Sequence, residues 1–321
     1  MSNYKEITDN IHEIIIVNPQ KPKKTVKWLN ITDAGKNEIE FLRKFYNFNL
    51  AQLQASSTKA VSQRPEIIKN DGYLFITLHF PVLRDGTIVP GEINFFVGSD
   101  YLVSVHNNLK TVNDFFSLCK KEEDLLLTYE LESSAILLYE ILQKLMSAGY
   151  SLLDQNSIAI NEIEDLIFSQ KQKKAVSNIL DLRRNIINTR KITQNHKNII
   201  EKLSDSNFGL VPEKRIKKYY NELLAQSKRF WENLETQKEM IEVLNNTNES
   251  LLNYQLSDIM KTLTIFSVIV FPLTLLAAIF GMNTTNGMPF MQTANAFWII
   301  IVIMMIGCLA MIIFFTKKKW L

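Results

Sequence analysis

Residues 262–316 contain no Asp, Glu, Lys, Arg or His, and no other feature of the 321-residue chain restricts its fold as strongly. One crossing of a bilayer requires about 20 predominantly apolar residues. Residues 262–280 and 297–315 therefore predict two membrane-spanning helices, joined by an uncharged connector at 281–295. The expected protein is a large domain outside the membrane, followed by a hairpin of two spans at the C-terminus.

The charges that flank the spans predict the orientation of the chain. Lys317, Lys318 and Lys319 form a basic tail directly after the second span, and Lys261 precedes the first. Because positive charge favours the cytoplasmic side, both termini are expected in the cytosol and the connector on the outside. Residues 1–19 lack the apolar core of a signal peptide. The predicted location is the inner cell membrane, in a multi-pass arrangement.

Composition excludes several classes of protein. Cys119 and Cys308 fall in the cytosolic part and in the second span, where no disulfide framework is expected. A net charge of +3 is small for this length and does not indicate nucleic acid binding. No phosphate-binding loop, nucleophile elbow or metalloprotease helix is present, so we expect neither an enzyme nor a resident cofactor.

The four histidines show no metal-ligand spacing with each other or with the cysteines. They are His12, His79, His106 and His196. His79 and His106 lie in strand-like segments, where a core or surface role is expected rather than metal binding.

The N-terminal part predicts a mixed α/β domain. Short apolar or alternating runs predict strands at residues 11–17, 26–31, 73–80, 93–97 and 101–106. Asp85-Gly86 predicts a turn. After Asp33, one side of a helical pattern carries Ile39, Leu42, Phe45 and Leu50.

Long helices are predicted for the rest of the chain. Helical spacing covers residues 131–153, 158–168 and 171–203, and residues 204–212 supply the only clear break. From residue 213 nothing stops a helix before Pro272, and a helix from 213 to 280 would be about 100 Å long. The predicted division begins with an α/β domain at 1–125 and a helical region at 126–210. A long stalk helix at 211–280 follows and contains the first span at about 262–280. The chain then forms a loop at 281–295, a second span at 296–316 and a basic tail at 317–321.

A heptad-like apolar pattern runs along the stalk helix. Its members are Ile216, Tyr220, Leu223, Ser227, Phe230, Leu234, Gln237, Ile241, Leu244, Asn248 and Leu251. The favoured interpretation is an oligomeric seam, because a helix that outruns its domain needs partners. The alternative is intramolecular packing on the helix at 171–203.

A second stripe, uncharged and mostly small or hydroxylated, runs from the stalk into the first span. It consists of Asn246, Ser250, Asn253, Ser257, Met260, Thr264, Ser267, Phe271, Thr274 and Ala278. Polar residues within a span are expected to face protein or water rather than lipid. Parallel copies of this helix would therefore line a narrow wet tube with an apolar constriction at Phe271. Ordinary helix packing is the alternative, since Ser and Thr are common in membrane interfaces.

Several motifs resemble the CorA family of magnesium transporters. Gly281-Met282-Asn283 follows Phe280 at the outer end of the first span, and Met288-Pro289 lies in the connector. Further similar segments are Met260-Lys-Thr-Leu-Thr-Ile, Phe271-Pro-Leu-Thr, Gln63-Arg-Pro, Asn94-Phe-Phe-Val-Gly, Leu102-Val-Ser-Val-His and Leu182-Arg-Arg. The resemblance covers nearly the whole chain.

This resemblance implies a funnel-shaped homopentamer that transports divalent cations across the lipid bilayer. Gly281, Met282 and Asn283 would form the selectivity filter, in which Asn283 holds hydrated Mg²⁺ through its outer shell and Gly281 contributes its backbone carbonyl. Met260, Leu263 and Phe271 would form a hydrophobic gate, and Thr274 and Ser267 would contact the hydration shell. Mg²⁺ loses water reluctantly, so neutral amide oxygens suit a conducting site.

Regulation by cytoplasmic Mg²⁺ is also implied by the resemblance, although this chain departs from the family there. Residues 53–58 lack the carboxylates that relatives carry before the Gln63-Arg-Pro motif. Glu222 on the stalk is the remaining candidate for a regulatory ligand, with Glu162, Glu164 and Asp165 as further candidates.

Other functions remain open at this stage. The connector is neutral, with Phe290 where many relatives carry Glu, and Asn286-Gly287-Met288-Pro289 resembles the ZntB branch, which moves zinc. A transporter of Zn²⁺, Co²⁺ or Ni²⁺ is therefore one alternative. A membrane-anchored coiled-coil scaffold without transport is the alternative from another class.

Overall fold

The computed structural model describes residues 3–17, 25–57, 64–121, 133–204, 214–282, 289, 295–318 and 320. The chain forms two compact units, Met1–Asn245 and Asn246–Leu321. The first unit contains both the α/β part and the helical region that follows it, because these helices pack on the sheet.

A mixed sheet lies at the centre of the first unit. Its strands are β1 (Asn3–Thr8), β2 (Ile11–Val17), β3 (Thr25–Thr32), β4 (Glu66–Asn70), β5 (Tyr73–Arg84), β6 (Thr87–Val97) and β7 (Tyr101–His106). They are ordered β1-β2-β3-β7-β6-β5-β4, with β3 and β7 parallel and the other neighbours antiparallel. The five predicted strands are confirmed, whereas the edge strands β1 and β4 were not predicted.

The predicted turn between β5 and β6 is confirmed. Asp85 and Gly86 both have positive φ, at 48° and 75°, and they connect the paired residues Arg84 and Thr87. Two left-handed residues match the twist of the strands that they join, which explains the Asp-Gly sequence at this position.

Helices cover both faces of the sheet. On one face, α1 (Lys36–Tyr46) and α2 (Leu50–Ala55) enclose a core in which Phe48 stacks on Phe96 with ring centroids 4.4 Å apart. On the other face, α3 (Lys110–Lys121) packs its aromatic side chains on Trp28, whose ring lies 4.9 Å from that of Phe116.

The single helix predicted after Asp33 is wrong in its extent. Asn47 has φ 53° and ends α1, and the Asn49 side chain accepts the Ala51 N–H at 2.9 Å to begin α2. Leu50 therefore starts a new helix and is 46% exposed, and Phe45 is 64% exposed. The two asparagines divide the chain because Asn tolerates the left-handed conformation and caps helices well.

Long helices complete the first unit and extend into the second. They are α4 (Ser134–Phe168), α5 (Gln172–Thr193), α6 (His196–Ser204), α7 (Lys214–Phe280) and α8 (Ala296–Lys317). The predicted long stalk helix and the two C-terminal apolar helices are confirmed. The uninterrupted helix predicted at 171–203 is wrong, since it breaks before His196.

His196 explains that break. It is fully buried, its Nε2 donates to the His79 carbonyl oxygen of β5 at 2.6 Å, and its ring packs against Phe80. The hydrogen bond fixes the start of α6 on the sheet. Burial lowers the pKa of His196 to about 4.

The buried histidines have structural roles, as predicted for His79 and His106. His106 accepts the Leu109 N–H on Nδ1 and donates from Nε2 to the Asn30 side-chain oxygen, both at 3.0 Å. His79 contacts Glu92 at 3.2 Å. The ring nitrogens of His106 are therefore both occupied within the core.

Acidification is expected to destabilise the first unit through His196. An unfolded histidine protonates near pH 6.5, whereas buried His196 stays neutral down to about pH 4, so the unfolded state binds more protons between these values. Stability is then lost as the pH falls through this window, by about 2 kcal/mol at pH 5. Chemical unfolding of the wild type and His196→Gln at pH 7 and pH 5 measures this change.

The variant should be less stable at pH 7 and should show a smaller loss on acidification. His106, whose pKa is also lowered by burial, and Glu140, whose pKa burial raises to about 7, are present in both proteins and cancel in the comparison. Equal losses in both proteins would remove His196 as the cause.

The heptad-like pattern of the stalk packs within the chain, so its interpretation as an oligomeric seam is wrong. All its members except Leu244 and Leu251 are buried, and Tyr220, Leu223 and Leu234 are fully inaccessible. The alternative interpretation, intramolecular packing on the helix at 171–203, names the wrong helix as the main partner. Tyr220, Phe230 and Gln237 of this pattern contact α4. Beside the pattern, Arg190 of α5 forms an ion pair with Glu235 at 2.6 Å.

Specific contacts align α4 with the stalk helix α7. The Tyr220 hydroxyl donates to the Ala135 carbonyl at 2.8 Å, and the Gln237 amide donates to the Leu153 carbonyl at 2.7 Å. Between these points, a Cβ at Gly149 would lie 3.1 Å from the Phe230 ring. The residue numbers of these contacts increase together along α4 and α7, so the two helices run parallel. Gln237 thus finds its partners inside the monomer, whereas the buried side-chain oxygen of Asn248 has no hydrogen-bond partner among the described residues.

Leu234→Ala is expected to lower the free energy of unfolding by about 2–5 kcal/mol, because it leaves a cavity in the α4–α7 contact. Val243→Ala on the same helix should cost little, since Val243 is 62% exposed. Thermal unfolding of the two variants at several protein concentrations measures the difference. If the difference in stability between Leu234→Ala and the wild type disappeared when both proteins were diluted to monomers, intramolecular packing would be contradicted.

Candidate functional site

The second unit exposes apolar surface. The apolar segments of α7 and α8 reach mean hydropathies of 2.5 and 3.0, and only 6% of each segment is buried. Among the described residues of this unit, the buried hydrophobic side chains are Ile265 and Phe315. Helices of this length and composition can cross a membrane, and their exposed side chains require a bilayer or other chains around them.

The uncharged stripe predicted on α7 is accessible along its whole length. Every member is exposed except Ser267, which is half-buried. Within the described parts of the chain, no packing covers this face, in contrast to the heptad-like pattern on the same helix. The stripe is therefore available to line a path between copies of the helix.

Four hydroxyl groups of the stripe have their hydrogens engaged within the helix. Each of the four donates to the carbonyl oxygen four residues earlier, at 2.8 Å from Ser250 to Asn246 and from Thr264 to Met260, and at 2.9 Å from Ser267 and Thr274. At these positions only oxygen lone pairs remain to face outward. A hydrated cation directs water hydrogens outward, so this surface matches such an ion.

Apolar side chains interrupt the polar stripe at the predicted gate. Met260 and Leu263 are 55% and 57% exposed, and Phe271 is 72% exposed. Met260 and Phe271 lie about 16 Å apart along the helix, at about 1.5 Å per residue. Rings of such side chains in a narrow path exclude water, which is how hydrophobic gates close.

Pro272 lies within α7, which continues through it to Phe280. Proline has no N–H, so the Val268 carbonyl oxygen loses its usual partner in the helix. The helix is therefore weakened one residue after Phe271.

The predicted selectivity filter begins where α7 ends. The Gly281 N–H donates to the Ala277 carbonyl at 2.9 Å, and the Met282 N–H approaches the Ile279 carbonyl at 3.3 Å. A Cβ at Gly281 would lie 3.0 Å from the Ala277 oxygen, so a side chain there would be crowded. Asn283 lies outside the described residues.

The basic tail follows α8, which ends at Lys317. Lys318 is exposed, and Lys319 lies outside the described residues. Trp320 is a feature that the sequence reasoning missed. Its backbone N–H donates to the Phe315 carbonyl oxygen at 3.0 Å, and its ring stacks on the Phe315 ring. A tryptophan after a basic run at the end of a span is a recognisable signal of a membrane interface.

The candidates for a regulatory metal site are dispersed. Glu222 is exposed, as are Glu162, Glu164 and Asp165. Among the described residues of one chain, no group of three or more His, Cys, Asp or Glu side chains is placed to hold a metal ion. Any such site on these residues needs ligands from elsewhere.

Comparison with known proteins identifies relatives along most of the chain. The sequence profile of the family described as CorA-like Mg²⁺ transporter protein matches residues 23–319. The chain is 22% identical over 312 residues to the putative metal ion transporter YfjQ of Bacillus subtilis, covering 97% of this chain and 94% of the relative. It is also 22% identical over 315 residues to the cobalt/magnesium transport protein CorA of Thermotoga maritima, covering 94% of this chain and 86% of the relative.

A solved structure has the same fold. The complete structure of the CorA magnesium transporter from Methanocaldococcus jannaschii superimposes with a TM-score of 0.80 at 18% identity, over 92% of each chain. The likeness includes the mixed α/β unit, the long helix and the two apolar helices.

Proposed function

Since the chain belongs to the family of CorA-like Mg²⁺ transporter proteins, and is thus a divalent metal ion transporter and not an enzyme, we propose that it conducts hydrated Mg²⁺ passively into the cytosol. The observation that carries this proposal is the exposed, uncharged stripe of α7, whose hydroxyls at Thr264, Ser267 and Thr274 in the apolar segment offer only acceptors. An anion would find no free hydroxyl hydrogen at these three positions.

The proposed pore is a homopentamer that surrounds the stripe. A single α7 presents the stripe on one side only, so a closed path requires several copies around an axis. The apolar exposure of both spans supports burial among copies and lipid. The number five follows from the resemblance to the CorA family.

At the pore entrance we assign ion selection to the Asn283 side chain and the Gly281 carbonyl. Five neutral oxygens attract a hydrated divalent ion without trapping it. Met282, which is 55% exposed, would pack rather than bind the ion. Gly281 fits this role because a side chain there would be crowded against Ala277.

The driving force in this proposal is the membrane potential, which supplies about 4.6 kcal/mol per 100 mV for a divalent cation. The protein lies in the inner membrane with both termini on the cytosolic side, where the basic tail at Lys317–Lys319 also lies. Met260, Leu263 and Phe271 close the path when the ion is not conducted.

Mg²⁺ would also act as the regulatory ligand, with Glu222 as the candidate in this chain. Glu222 is exposed, and hard cations require several converging oxygens. The remaining ligands must come from neighbouring copies.

Transport of other divalent metals is the second candidate function. The connector 284–295 contains no charged residue, which reduces electrostatic selection at the entrance. Co²⁺, Ni²⁺ and Zn²⁺ carry the same charge as Mg²⁺, so discrimination would depend on the hydration shell and Asn283.

Ion influx into proteoliposomes tests the proposal. The full-length protein is reconstituted, and entry of Mg²⁺, Co²⁺, Ni²⁺ and Zn²⁺ is followed with ion-sensitive dyes under an imposed potential. Mg²⁺ entry that increases with the potential is expected. Zn²⁺ entry without Mg²⁺ entry would favour the zinc alternative, and no entry of any ion by assembled protein would contradict transport by this pore.

A further inference from the structure

A cavity lies in the second unit, where α7 enters its apolar segment and the chain leaves α8. Its volume is about 630 Å³. The lining residues are Asp258, Ile259, Lys261, Thr262, Leu263, Phe266 and Trp320. The stripe residues of α7 do not line it, and among its lining residues only Leu263 also belongs to the proposed ion path.

The lining changes from charged to apolar along the helix axis. Asp258 and Lys261 lie at the start, and Leu263 and Phe266 follow deeper in the span. The whole change occurs over about 12 Å, at about 1.5 Å per residue. A phospholipid has the same order of groups, with a charged headgroup followed by acyl chains.

Trp320 forms a fixed wall of the cavity. Its backbone N–H donates to the Phe315 carbonyl, and the two rings stack with centroids 6.0 Å apart and an interplanar angle of 28°. Phe315 is buried, whereas Trp320 is 49% exposed. The ring is thus held in place while one side remains available, as for tryptophans at the level of lipid headgroups.

The charge around the cavity favours an anionic ligand. Lys261 lines it, and Lys317 and Lys318 lead directly to Trp320. None of these lysines forms an ion pair within the part of the chain that the structure describes. Asp258 is the only acid in the lining, one helical turn before Thr262, whose hydroxyl donates to the Asp258 carbonyl. Lysines next to a membrane attract anionic lipids.

We propose that this cavity binds an anionic phospholipid from the leaflet on the side of the two termini. The phosphate would contact Lys261 and the edge of Trp320, and the acyl chains would lie against Leu263 and Phe266. The inference rests on the proposed membrane arrangement. Since Leu263 also belongs to the proposed gate, the bound lipid would contact a gate residue directly.

Lipid-dependent thermal stability tests this site. The purified full-length protein in detergent is titrated with phosphatidylglycerol or with phosphatidylcholine of the same acyl chains, and the unfolding midpoint is recorded. The wild type should be stabilised more by phosphatidylglycerol. Lys261→Gln and Trp320→Ala should each raise the concentration for half of this shift, by about fivefold for the lysine. Lys261→Arg should retain most of the effect.

Matched variants control for the loss of a charge or an indole elsewhere. Lys228→Gln removes an exposed lysine of the first unit, and Trp298→Ala removes a tryptophan that is 66% exposed near the other end of α8. Both should bind phosphatidylglycerol like the wild type. Each variant is compared with its own lipid-free midpoint, so a change in basal stability does not affect the result.

Three results would overturn the lipid site. They are equal stabilisation by both lipids, unchanged affinity in Lys261→Gln and Trp320→Ala, and an equal shift with glycerol 3-phosphate, which would indicate a soluble phosphate instead. The measurement requires no transported ion. A failure here therefore leaves the influx experiment unaffected, and absent influx with normal lipid binding would count against the pore alone.

Discussion

Asn283→Ala is expected to reduce Mg²⁺ influx at least about tenfold while the protein still assembles. In the proposed pore, every copy loses the amide oxygen that accepts a hydrogen bond from the ion's hydration shell. A hydrogen bond to a charged group contributes about 1.5–3 kcal/mol, so the loss of one such bond already corresponds to about tenfold. Influx into proteoliposomes, together with the oligomeric mass in detergent, measures both parts of this expectation.

Asn295→Ala is the matched control. It removes the same side chain at the end of the same connector, where Asn295 precedes α8 and its side chain forms no capping hydrogen bond. Influx should remain close to that of the wild type. Equal influx in Asn283→Ala and Asn295→Ala would exclude Asn283 from ion selection.

Phe271→Ala is expected to raise basal ion leak by about tenfold or more. The ring is 72% exposed in the chain, so its removal costs little packing inside the monomer. It leaves a wider and wetter constriction, and a barrier lower by about 1.4 kcal/mol corresponds to a tenfold faster flux. Leak is measured in proteoliposomes at a Mg²⁺ concentration that keeps the wild type closed.

Phe297→Ala provides the comparison for the leak measurement. Phe297 is 67% exposed on α8 and belongs neither to the stripe nor to the lipid cavity. Its removal should leave the leak unchanged. If Phe271→Ala leaked no more than Phe297→Ala, the constriction would have to lie elsewhere on α7.

The sequence predicts most of the fold because its strongest signals are local. The uncharged run, the Asp85-Gly86 turn and the alternating strands each depend on nearby residues, and the structure contains all of them. The edge strand β4 (Glu66–Asn70) has no comparable apolar alternation, so its pairing partner determines it instead. The break before His196 likewise depends on a contact with a distant strand.

The heptad-like pattern on α7 shows why periodicity does not identify a partner. An apolar stripe at this spacing predicts helix packing, but it does not distinguish another copy from a helix of the same chain. Here α4 covers it, as the Tyr220 and Gln237 hydrogen bonds demonstrate. The second stripe was predicted from its polarity to face protein or water rather than lipid, whereas the direction of its hydroxyl hydrogens required coordinates.

The hydroxyl hydrogen bonds of α7 also influence its stiffness. Side-chain hydroxyls that donate to the carbonyl four residues earlier compete with the backbone and bend helices, and a proline adds a defect of its own. Thr264, Ser267 and Thr274 place three such competitors around Pro272. The stalk residues held by α4 carry no proline. Thr236 and Ser250 make the same hydrogen bond in the stalk, so Pro272 is what distinguishes the apolar segment. A small applied torque would therefore bend α7 first near Pro272.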